Sequence, residues 1–154
     1  MAATTTSPFK SILLAGFIAG TLDITAAITI LGKMNAPGVL RFIASGFFGK
    51  EAFTGGSEMV WVGLFFHFLI AFSFTIVYYL IFPFVPLFRH HRILSGLLYG
   101  MFVWGIMDLV VVPQTKIPRA SLQWEGALLN MAILMVCVGL PISFFISRHY
   151  SFKR

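Results

Sequence analysis

The sequence predicts an all-α fold: a polytopic membrane protein with four transmembrane helices in an antiparallel bundle, plus a short interfacial or re-entrant helix between the first two. Three observations carry that prediction. The chain is 58% hydrophobic and only 10% charged, where a soluble domain carries roughly 25% charged residues. Its mean hydropathy is +0.92. Four apolar runs each reach the about 20 residues needed to cross hydrocarbon. Residues 1–154 read as a single integral membrane domain.

The first run extends from Ser11 to Gly32. Unpaired backbone groups are not tolerated in lipid, so a run of this length must be helical. Lys10 before an apolar stretch raises the question of a signal peptide. The run continues past any plausible cleavage point and no A-x-A site follows, so the segment is expected to stay. The second run, Glu58 to Phe82, is ended by Pro83 and Pro86. The third, Ile93 to Val112, is stopped by Pro113, and the fourth, Leu122 to Ser147, contains Pro141 and should kink there.

The connection Lys33 to Ser57 reads KMNAPGVLRFIASGFFGKEAFTGGS. Pro37 and Gly38 open a helix whose apolar side holds Val39, Leu40, Phe42, Ile43, Phe47 and Phe48, with Arg41, Ser45 and Lys50 opposite. Gly55-Gly56 is expected to end it. One reading is an amphipathic helix on the membrane surface. The other is a re-entrant gate, with Arg41, Ser45 and Glu51 as gate residues, of which Arg41 and Glu51 pair with each other or with the polar layer.

An even number of spans puts both ends on one side. That side carries Lys10, Arg89, Arg92, Arg148, Lys153 and Arg154; the other carries Lys33, Arg41, Lys50, Lys116 and Arg119. The balance, and the tight Arg89-His90-His91-Arg92 loop, set the termini in the cytoplasm. Trp61 and Trp124 then fall at the outer interface and Tyr150 at the inner one, while Trp104 is deep enough to pack between helices. The net charge of +6 is spread over the ends of apolar runs, which fits membrane topology rather than nucleic-acid binding. The bilayer is the expected partner, with a second copy or another membrane protein as further candidates. The single Cys137 cannot form an internal disulfide and reads as a buried, inert thiol.

Polar residues inside the spans are the functional signal. From the helical rise, Asp23 lies roughly 20 Å from the inner end, His67 roughly 13 Å and Asp108 roughly 8 Å from the outer end. Asn130 sits at a depth similar to Asp108, with Glu125 at the mouth of its span. The inner half has no acid and no polar residues to match. Gly16, Gly20, Asp23 and Ala27 share one helix face; so do Gly63, His67, Ala71 and Thr75. Gly100, Trp104 and Asp108 line up on the third helix, and Gly126, Asn130, Leu134, Cys137 and Pro141 on the fourth. Small residues mark helix–helix contacts in membranes. Asp23, His67, Asp108 and Asn130 are therefore expected in one interior polar layer, open to the outside.

A charge at the bilayer centre costs about 2.5–3.5 kcal/mol on insertion scales, so such residues are functional candidates by default. The leading reading is binding or transport of a small molecule or ion, with Asp23, His67, Asp108, Asn130 and Glu125 as candidate ligands. Histidine suits proton handling because its charge ordinarily changes near neutral pH. The alternative is a structural or assembly subunit whose polar layer is packing glue, worth about 0.6–2 kcal/mol per bond. No HExxH, CxxC, GxSxG or P-loop pattern is present, so no catalytic residue, metal site or cofactor is expected. His90, His91 and His149 read as surface residues near headgroups.

The segments GFIAGTLDI, RFIASGFFGKEAFTGG, GLFFHFLIAF and GLLYGMFVWGIMDLVVVP together resemble a family of small bacterial four-helix integral membrane proteins of unknown function. The resemblance extends from Ala15 to Ser147, and IASGFFGKEAFTGG is its most specific part. It implies four spans and a bacterial inner membrane, and no residue role.

Overall fold

The computed structural model describes residues 7–116 and 124–151. Among them, four helices are long and apolar enough to cross a membrane: Pro8–Leu31, Glu58–Phe84, Arg92–Gln114 and Trp124–Ser151. Arg119, Lys153, Arg154 and the expected fourth-span start at Leu122 lie outside the described residues. A shorter apolar helix, Ala36–Phe48, joins the first two spans. Phe17, Phe65, Leu80, Leu109 and Val136 face outward and are more than half exposed. Apolar side chains on every outer face belong in lipid rather than water. The chain is a multi-pass membrane protein.

The first span starts earlier than hydropathy alone predicts. Ser7 caps it by accepting from the Lys10 amide at 3.3 Å, and Pro8 occupies the first turn. That pair needs no apolar side chain, so a hydropathy reading misses it. At the far end, Lys33 and Met34 take positive φ values of 47° and 68°. The Met34 amide donates back to the Ile28 carbonyl at 2.8 Å, closing the turn. Asn35 then caps the connecting helix by accepting from the Gly38 amide at 3.0 Å. That helix ends at Gly49, whose φ of +64° breaks it well before Gly55-Gly56. A four-residue helix, Glu51–Thr54, leads into the second span.

The third span passes the proline expected to stop it by one residue, and the fourth continues through Pro141 as its expected range already did. The third span runs through Pro113 to Gln114, and the fourth runs through Pro141 to Ser151. In each, a π-helical stretch ends two residues before the proline: Ile106–Val111 and Leu134–Gly139. Proline lacks the amide that would bond the carbonyl four residues back, and its ring clashes with that carbonyl. Widening the preceding turn by one residue moves the carbonyl aside, so the helix continues. The first span also ends in a π stretch, Ala27–Leu31. The stretches of the first and third spans lie in the half of the bundle that holds the long connection, and that of the fourth lies mid-span, where Gly139 meets Gly96 and Gly100.

Around the bundle, the connecting helix packs on the second span, the second on the first, the first on the fourth, and the fourth on the third. The third and fourth spans touch backbone to backbone at Gly96, Gly100 and Gly139. Apolar burial gives little drive between helices in lipid, so close approach at small residues supplies the packing. The buried core, with Tyr78, Phe82, Tyr99, Ile142 and Ile146, lies in the half that holds the chain ends. There Tyr78 stacks on Phe88 with ring centroids 4.6 Å apart, and Tyr99 meets Tyr78 edge-on at 4.7 Å.

That half also carries a polar network where the sequence suggests none. Tyr78 Oη donates to Ser143 Oγ at 3.0 Å, and the Ser143 hydroxyl donates to the Arg92 carbonyl at 2.7 Å. One relay thus links the second, fourth and third spans. Tyr99 Oη donates to the Phe74 carbonyl at 2.6 Å and ties the third span to the second. Tyr78→Phe is expected to lower stability in detergent by about 1 kcal/mol, within the range of interhelical hydrogen bonds in membranes. A thermal melt read by circular dichroism checks it; an unchanged melt would mean that ring packing alone holds Tyr78.

Candidate functional site

The expected faces are buried on the first two spans, whereas Gly126, expected on the packing face of the fourth, is exposed with open space beside it. Gly16, Gly20, Gly63, His67, Ala71 and Thr75 are all buried. Asp23 Oδ2 stands 4.0 Å from His67 Nδ1, and the two side chains are 19% and 10% exposed. At that distance they form an ion pair or its neutral equivalent, not a hydrogen bond. The other ring nitrogen, Nε2, lies 2.8 Å from the Gly20 carbonyl oxygen. A carbonyl only accepts, so Nε2 must carry the hydrogen. Nδ1 is then the ring nitrogen that faces Asp23. Phe68 meets the imidazole edge-on at 5.4 Å and also fills the groove against Gly20. Gly20 thus does two things: its missing side chain admits Phe68, and its carbonyl fixes the histidine tautomer.

The second pair bridges the other two spans. Asn130 Nδ2 donates to Asp108 Oδ2 over a long 3.5 Å, both side chains being half-buried. Asp108 lies inside the π stretch that precedes Pro113. The four residues therefore form two pairs at the same end of the bundle rather than one connected layer. No hydrogen bond or ion pair joins the two pairs among the described residues. Cys137 lies on the fourth span. It is half-buried, not fully buried as expected. Glu125 is exposed at the mouth of the fourth span. Among the described residues, no three of His, Cys, Asp and Glu are grouped to hold a metal ion.

The gate candidates take three different roles. Ser45 is fully buried, and its hydroxyl folds back onto the Phe42 carbonyl of its own helix at 2.6 Å. Arg41 reaches the Gly56 carbonyl at 3.4 Å, and the Glu58 carboxylate accepts from the Gly56 amide at 2.7 Å beside it. Glu51 is exposed and pairs with neither Arg41 nor the polar residues below. The connecting helix crosses the second span at Gly63, one turn from His67 on the same face. Its far end is held by the Lys116 amide, which donates to the Gly46 carbonyl at 3.1 Å. The helix therefore spans from the second span to the end of the third, across the polar end of the bundle.

Trp61 and Trp124 are exposed at the outer faces of the same end, and Trp104 packs against the core. Tyr150 does more than line the interface: it stacks on Phe82 at 4.5 Å and donates to the Tyr79 carbonyl at 3.2 Å. His149 corrects the sequence reading. It is only 2% exposed, with Nδ1 3.2 Å from Ser11 Oγ. Its spacing from Ile142 and Ile146, steps of four and three, was a signal available in the sequence.

No family model, no curated protein and no solved structure matches this chain. The resemblance to a bacterial four-helix family gains no support from these comparisons, and no residue role comes from a relative.

Proposed function

We propose that this membrane protein binds an ion, in the first instance a proton, at the Asp23–His67 pair and moves it across the bilayer. The observation that supports the reading is the geometry of the pair: the Gly20 carbonyl accepts from Nε2–H, so Nδ1 is the ring nitrogen that faces the Asp23 carboxylate. Asp108 with Asn130 would be the next station, and the connecting helix with Arg41, Ser45 and Glu51 the gate. The tight basic loop Arg89 to Arg92 favours a cytoplasmic location for the terminal side. The second reading, an assembly subunit, draws on the same geometry, because each polar pair bridges two neighbouring spans.

Liposomes enclosing a pH-sensitive dye separate the two. Wild-type protein is expected to collapse an imposed pH gradient, and Asp23→Asn and His67→Gln to lose most of that flux while melting at the same or a higher temperature. Residues kept for function commonly cost stability. If the wild type conducts no better than empty liposomes and both variants melt lower, the pair is packing glue and the assembly reading replaces transport.

A further inference from the structure

The terminal end of the bundle contains a feature that the polar pairs do not use. A cavity of about 600 Å³ opens there between the third and fourth spans, lined by His90, His91, Arg92, Ile93, Leu94, Leu97 and Phe144. Its lining is divided by chemistry. Two imidazoles and a guanidinium lie where the third span begins, and Ile93, Leu94, Leu97 and Phe144 continue toward the membrane interior. Arg92 is held at both ends: its carbonyl accepts from Ser143 Oγ at 2.7 Å, and its guanidinium donates to Ser151 Oγ at 2.9 Å. A guanidinium offers five donors, so most remain for a ligand. The charge distribution selects the sign of that ligand. All five acids, Asp23, Glu51, Glu58, Asp108 and Glu125, lie at the other end of the bundle. Among the described residues, Lys10, Arg89 and Arg92 stand at this end and no Asp or Glu does.

We infer that this cavity is a binding site for one anionic phospholipid. Its phosphate would meet Arg92, His90 and His91, and an acyl chain would lie along Leu94, Leu97 and Phe144. A basic head and an apolar wall at headgroup level match both halves of such a lipid. A free phosphate would use only the first half. The site is independent of the Asp23–His67 reading, since it shares no residue with it.

The test titrates the full-length protein in detergent with phosphatidylglycerol, with phosphatidylcholine of the same chains, and with inorganic phosphate, counting bound molecules by native mass spectrometry. Phosphatidylglycerol is expected to bind ahead of phosphatidylcholine. Arg92→Gln should weaken that binding about fivefold, the worth of one cation near an anionic surface. Leu97→Trp, which fills the apolar wall and leaves every charge in place, should weaken both lipids. Lys33→Gln, at the opposite end, should change neither. A melt of each variant shows that the fold is intact. Equal binding of the two lipids, indifference to both cavity variants, or displacement of the lipid by inorganic phosphate would each overturn the inference.

Discussion

Gly139→Ala is expected to be among the most damaging single methyl additions to this chain. A Cβ at Gly139 would overlap the Gly96 carbonyl and crowd the Gly100 amide. Both obstacles are backbone, so no rotamer change relieves them and the third and fourth spans must separate. Overpacking of this kind costs about 1–3 kcal/mol, occasionally more. Separation also strains the Ser143 bond to the Arg92 carbonyl, so the loss should spread into the Tyr78 relay. Gly105→Ala and Gly126→Ala are the controls, because a Cβ at either meets nothing within 4 Å. They should be neutral or stabilising, Ala exceeding Gly in a helix by roughly 0.5–1 kcal/mol. Thermal melts of the three variants in one detergent decide the matter. Equal melts would show that the two spans are not locked at this crossing.

The second large effect is expected at Gly63→Ala. A Cβ there would run into the Leu40 carbonyl and the backbone around it. The second span is anchored in the core through Thr75, Tyr78 and Phe82, all buried. Apart from its packing on the second span, the connecting helix is held by its Asn35 cap, the Arg41 to Gly56 bond and the Lys116 to Gly46 bond. It is therefore the element that moves. Hydrogen exchange should rise across Ala36–Phe48 and stay low in the second span. Because Gly63 and His67 share a face, the same displacement should uncover His67. In the liposome assay a gate would then show faster flux, whereas a mere surface helix would leave flux unchanged. Unaltered exchange over Ala36–Phe48 would show that the contact at Gly63 is dispensable.

Much of the site was legible because depth and face follow from helix geometry once the spans are known. Asp23 and His67 lie at steps of three and four from glycines on their own helices, so their inward direction could be read directly. Which polar residue meets which could not. The pairing of Asp23 with His67, and of Asp108 with Asn130, depends on the first span packing on the second and the third on the fourth. His149 was missed for a related reason. A charged tail surrounds it in sequence and masks its helical spacing from Ile142 and Ile146, while the partner that buries it, Ser11, comes from the first span.

By itself, the sequence determined the solvent, the number of spans and the half of the bundle that carries acid, because hydropathy and the rise per residue are local quantities. Even Ser7-Pro8 and Asn35 were present as caps, each set by hydrogen bonds within a few residues. Tertiary structure alone decided the rest. The Gly20 carbonyl chooses the tautomer of a histidine far away in sequence. The connecting helix bridges the second and third spans through Gly63 and Lys116. Each of these depends on where a second backbone lies, and nothing in a residue's immediate neighbours encodes that position.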